Sequence, residues 1–161
     1  MIYSDIRSEI KSGDLLTWRK NSLFARLIRC WTGSTYSHVG IAWVRWGRVF
    51  VLQDRLKDGI DIVALSHQLP CDWIPTGAVW SDEVEEFAFQ DMGHHYGHIN
   101  ILTAATNIKP VGDGMVCSEY AAAILKKAGV ALPDQSNWTP AQLVNHMLDA
   151  GQPLRNIKEM K

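Results

Sequence analysis

Two short segments, distant in the chain, carry residue types suited to nucleophilic chemistry. Ser37-His38-Val39-Gly40-Ile41 opens an apolar run, and Val116-Cys117-Ser118-Glu119-Tyr120 opens a helical one. A thiol is a useful nucleophile only as the thiolate, and an imidazole is the side chain best suited to take its proton near neutral pH. If the fold joins them, Cys117 is the nucleophile and His38 the base of a cysteine hydrolase or acyltransferase. The histidine precedes the cysteine along the chain.

The helical reading places Cys117 in the first turn of a helix over residues 115–128. A helix N-terminus carries partial positive charge and free backbone N–H groups. The first would lower the thiol pKa, and the second would make the Cys117 N–H an oxyanion donor. Gly112 and Gly114, just upstream, allow close approach of a ligand to the chain.

A third group is needed to orient the imidazole, and hairpin geometry nominates it. His38 to Arg45 and Arg48 to Arg55 are rich in β-branched and aromatic residues, with Trp46-Gly47 between them. A two-residue turn pairs Arg45 with Arg48, hence Gly40 with Gln53 and His38 with Arg55. Strand alternation then projects Gln53 on the same side as His38, one diagonal step away, and Asp54 on the other. A turn of odd length reverses this and favours Asp54. The even turn needs no bulge, so Gln53 is preferred; its amide carbonyl would fix the tautomer by accepting a ring N–H.

The remaining elements must position these groups. Gly13-Asp14-Leu15-Leu16-Thr17-Trp18 reads as a turn feeding a short strand. Asn21 and Ser22 are caps for a helix that runs through Trp31, and residues 59–65 form a third strand of an antiparallel sheet. Residues 67–80 look irregular, with Pro70 and Pro75. Ser81 caps a helix to Phe89, and His94 to Thr106 is a further helical segment. Lys109 to Gly114 is a loop, Gly129 closes the Cys117 helix, and Thr139-Pro140 opens the last one.

Composition bounds the possibilities. The chain has 161 residues, 47% hydrophobic and 20% charged, with a formal net charge of -1. That fits one domain over residues 1–161 with a sizeable core, and it offers no basic excess for nucleic acid. The three cysteines, Cys30, Cys71 and Cys117, do not make a disulfide framework, although a Cys30–Cys71 pair is open. His94 and His98 share a helix face with Asp91, but no further ligand is nominated by spacing, so no metal and no cofactor are expected. Residues 1–12 carry four charged side chains and no apolar core of a signal peptide. No stretch is long and apolar enough for membrane insertion. A cytoplasmic location is expected, or association with a phage particle or release without a signal peptide. Oligomeric state is not legible.

Taken in order, these segments resemble the circularly permuted branch of the NlpC superfamily of papain-like cysteine hydrolases. The matching pieces are Gly13-Asp14-Leu15-Leu16, Ser37 to Gly40, Val51-Leu52-Gln53, His95-Tyr96-Gly97, Cys117 to Glu119, and Thr139 to Leu143. They span residues 13 to 145. The resemblance implies a papain-like α+β fold, a small barrel-like antiparallel sheet packed on helices. It also implies hydrolysis of a peptide or cell-wall stem-peptide amide, or lipid acyl transfer or esterolysis on the same dyad. Gln53 stands where that branch often has glutamate, a departure that keeps a non-catalytic binding module among the readings. By analogy, Tyr36 and Tyr96 are candidates for a phenol near the oxyanion or on the cleft wall.

Overall fold

The computed structural model describes residues 1–19, 35–55, 59–90, 92 and 113–159. Within them lies a six-stranded antiparallel sheet in the order β4-β3-β2-β1-β5-β6. The strands are β1 (Leu15–Trp18), β2 (His38–Arg45), β3 (Arg48–Arg55), β4 (Gly59–Ala64), β5 (Cys71–Ile74) and β6 (Arg155–Ile157). The helices are α1 (Tyr3–Ile6), α2 (Asp82–Phe89), α3 (Asp113–Lys127) and α4 (Pro140–Asp149). Among the described residues no helix is long and apolar enough to cross a membrane.

The β2–β3 hairpin fixes the register. Arg45 pairs with Arg48 and Ile41 with Leu52, as the two-residue turn requires. Trp46 at φ 51° and Gly47 at φ 68° both lie in the left-handed region. That pair of angles is the type I′ turn, which follows the right-handed twist of the strands. Glycine takes it freely, whereas a bulky L-residue such as Trp is disfavoured there by about 1–2 kcal/mol.

The sheet has an apolar cluster on each face. Alternation sends Leu15, Val39, Ile41, Leu52, Ile60 and Ile74 to one face. There α2, α3 and α4 cover them through Val84, Ala88, Tyr120, Ala121, Ile124, Leu143 and Met147. Leu16, Trp18, Ala42, Val51, Cys71 and Trp73 point to the other face, closed by Ile6, Ile10 and Ile157. Because both faces are covered, β1 is buried at all four positions.

Local signals explain the helix ends. Ser81 Oγ accepts from the Val84 N–H at the start of α2. Thr139 and Gln142 form a reciprocal capping box at the start of α4, followed by Pro140 at a position where a missing N–H costs nothing. At the end of α3, Gly129 at φ 82° lets the Val130 N–H reach back to the Leu125 carbonyl.

Three sequence expectations need correction. The 67–80 stretch is not wholly irregular, because Cys71–Ile74 forms β5 against β1. Its four residues between two prolines are too few for a periodic signal. Asp113 and Gly114 belong to α3 rather than to a preceding loop. The third strand ends at Ala64, and Leu65 opens a 3-10 turn instead. The helices expected through Trp31 and over His94 to Thr106 lie outside the described residues, as do Cys30, Tyr96, His94, His95 and His98.

Candidate functional site

His38 is the first residue of β2 and is 5% exposed. Its backbone is held from β1: the Thr17 hydroxyl donates to the His38 carbonyl at 3.0 Å. The Trp18 ring packs on the imidazole with centroids 5.4 Å apart, and the Trp18 indole N–H is anchored to the Gln68 carbonyl at 2.6 Å. Trp18 lies directly opposite His38 in the β1–β2 register, so the same pleat presents both rings.

The ring meets Gln53 on the neighbouring strand. His38 Nε2 lies 2.7 Å from Gln53 Oε1, and Gln53 is fully buried. A carbonyl oxygen only accepts, so Nε2 is the donor, and in the neutral ring Nδ1 is then the nitrogen that carries the lone pair. Gly40, between the two side chains, makes this contact possible. A Cβ there would fall 2.6 Å from Val51 Cγ1 and 3.4 Å from Gln53 Cβ. Gln53 Nε2 is buried with no hydrogen-bond partner among the described residues, so the amide is held through its oxygen alone.

Asp54, the alternative orienting residue, is 2% exposed and pairs across the sheet with Ile60. It therefore alternates onto the helix-covered face, away from the imidazole. The acid and the amide are separated by one pleat.

Cys117 is fully buried on α3, within the cluster that contains Val39, Ile41 and Leu52. The helix starts at Asp113, which makes Cys117 its fifth residue rather than a first-turn residue. At that position the N–H belongs to the intrahelical ladder, and the helix-end field has largely decayed. The expected oxyanion donation by the Cys117 N–H, and the helix-end lowering of its pKa, are corrected accordingly. Its neighbours have fastening roles. Ser118 Oγ donates to the Trp138 carbonyl, and Tyr120 donates to the Ala88 carbonyl at 2.6 Å. Burial pushes the Glu119 carboxyl up, against a hydrogen bond from the Asn137 backbone.

Tyr36 precedes the strand and lies on the helix-side cluster. Arg19 donates to its hydroxyl at 3.3 Å and lies over its ring at 5.1 Å. The same guanidinium pairs with Asp72 at 2.9 Å, and Asp72 also accepts from Asn156. Tyr36 and His38 are two residues apart yet serve opposite faces, so the chain crosses from one face to the other at the mouth of β2.

Cys71, on β5, is in no disulfide, and burial pushes its thiol up to about 12, with Asp72 adding to the effect. Almost no thiolate exists there at neutral pH.

Sequence reasoning missed Thr17, Trp18 and Arg19. Their proximity to His38 and Tyr36 depends on β1 pairing with β2, a contact with no local signature. The hairpin register, by contrast, was enough to bring Gln53 to the imidazole.

The chain matches no family model and no curated protein. Its fold is similar to that of a solved Escherichia coli O157:H7 protein, the metalloprotein yiiX, with a TM-score of 0.57. Identity is 18%, over 88% of this chain and 79% of that one. At such identity the likeness is one of fold. Among the described residues no group of three or more His, Cys, Asp and Glu is placed to hold a metal ion.

Proposed function

We propose that this protein is a cysteine hydrolase of permuted papain-like architecture, acting on an amide in a peptide or cell-wall stem peptide. The observation that carries the reading is the His38–Gln53 hydrogen bond. It fixes the imidazole in the tautomer whose Nδ1 accepts a proton, and it does so in a buried setting. The helix bearing Cys117 packs on β2 and β3, the two strands that hold this pair. His38 is the first residue of β2, so the reading requires its ring and the Cys117 thiol to meet around the strand end rather than through the sheet.

In this reading Nδ1 takes the Cys117 proton, and the thiolate attacks the substrate carbonyl. The tetrahedral oxyanion collapses, the amine leaves with the proton from His38, and an acyl-thioester remains. Water, deprotonated by His38, then releases the acid and regenerates the thiol. Gln53 keeps the ring oriented throughout without becoming charged. The Tyr36 phenol, steadied by Arg19, belongs to the cleft wall on the cysteine side.

A second reading, a binding module without turnover, draws on two observations. Cys117 is fully buried, and its N–H belongs to the helix ladder. Lipid esterolysis or acyl transfer would use the same dyad. One experiment separates the three: intact-mass spectrometry after exposure to muropeptides and, separately, to acyl esters. An acyl adduct on Cys117 from muropeptides, absent in Cys117→Ala, supports the amidase. An adduct from esters alone supports the lipid enzyme. No adduct, with ligand binding retained in Cys117→Ala, leaves the module.

A further inference from the structure

The β2–β3 hairpin ends in a residue that the fold does not need. Trp46 is 83% exposed at the tip, in a left-handed conformation that asparagine or glycine would adopt with far less strain. Stability alone would not select a tryptophan there. Its ring is backed rather than covered: Trp43 meets it edge-on at 6.3 Å and itself packs on Phe50 at 5.5 Å and Phe89 at 4.9 Å. The indole therefore stands on a rigid aromatic base and projects outward.

Cations flank it. Arg45 and Arg48 precede and follow the turn, and both are exposed. Arg45 has an acidic partner on α2, the half-buried Glu85, while Asp82, Glu83 and Glu86 of that helix are exposed. The Glu85 carboxylate accepts from the Trp43 and Trp80 indoles at 2.9 and 3.0 Å and pairs with Arg45 at 3.4 Å.

We infer that the hairpin tip is a peripheral docking element for an anionic lipid surface, with Trp46 entering the headgroup layer between Arg45 and Arg48. An indole favours this interface because one edge is apolar and the other donates a hydrogen bond. Arginine is attracted to anionic headgroups and covers apolar surface with its stem. The tip is convex, which suits a yielding bilayer surface better than a rigid glycan chain. Contact through one indole is shallow and reversible and needs no spanning segment.

The test is co-sedimentation of the full chain with vesicles of phosphatidylcholine alone and of phosphatidylcholine with phosphatidylglycerol. Trp46→Asn restores a preferred Asn-Gly turn, so its thermal midpoint should equal or exceed that of the parent. Arg48→Glu reverses one flanking charge and leaves the turn intact. The parent should bind the anionic vesicles, with each variant about tenfold weaker. Neutral vesicles should bind the parent little. Equal binding by the parent and Trp46→Asn would overturn the inference. So would absence of vesicle binding, with or without retention on cell-wall glycan. None of these readouts depends on Cys117, so failure here is distinct from failure of the hydrolase reading.

Discussion

Replacing Gln53 by glutamate changes one atom group and tests whether that side chain governs the imidazole. Gln53 Oε1 lies 2.7 Å from His38 Nε2 in a fully buried position. A carboxylate there places a negative charge in hydrogen-bond contact with the ring. Opposite charges at such range shift a titration by about 1–3 units toward the charged form. Burial of the new carboxylate opposes this, so the lower end of the range applies. The assay is NMR titration of the His38 ring proton, assigned by its loss in His38→Ala. A companion, Gln53→Leu, removes the acceptor and leaves a buried N–H orphaned, at a cost of about 1–3 kcal/mol. For a chain of this size that lowers the thermal midpoint by about 2–12 °C. If Gln53→Glu moves the ring titration by less than about 0.3 unit, the side chain does not sit against the imidazole in solution. The tautomer argument then fails.

Other expectations follow from the buried polar groups. Asp14 accepts from the Lys11 and Thr76 backbone N–H groups and from the Trp73 indole, yet burial raises its pKa above the ordinary carboxylate value. A raised folded pKa means its contribution is fully present below the unfolded value and is lost as pH rises through the folded one. Urea unfolding from pH 3 to 7 should therefore show the parent losing stability relative to Asp14→Asn across that window, and a relative gain would contradict the assignment. Thr139→Ala removes the hydroxyl that accepts from the Gln142 N–H at the start of α4, leaving the backbone half of the capping box, and should cost about 1 kcal/mol, or about 2–4 °C in the thermal midpoint. An unchanged midpoint would mean that α4 is held by packing alone.

Much of the scaffold around the site was legible because its signals are local. The hairpin register followed from Trp46-Gly47, and with it the placing of Gln53 beside His38 and of Asp54 one pleat away. Ser81, Gly129 and Thr139-Pro140 mark helix ends through their own backbone preferences. What escaped is non-local. β5 has four residues between prolines, α1 has four as well, and β6 has three. The sheet is apolar on both faces, as Leu15 and Leu16 illustrate, so alternation along a strand does not reveal which face a helix covers. That is why the sequence paired Cys117 with His38 by residue type alone. It is also why the helix-side placing of Cys117, with Asp54 on the same face, emerged only from the fold. The start of α3 moved for a similar reason: the glycine at 114 reads as a breaker but lies inside the first turn.

The central claim is that His38 activates the Cys117 thiol. Alkylation by iodoacetamide, followed site by site by peptide mass spectrometry across pH, measures this directly. Cys71, with its thiol near 12, serves as an internal slow standard. The expected result is rapid modification of Cys117 with an apparent pKa below the free-thiol value of about 8.5, lost in His38→Ala. Modification of Cys117 no faster than Cys71, with a pH profile indifferent to His38, would contradict it.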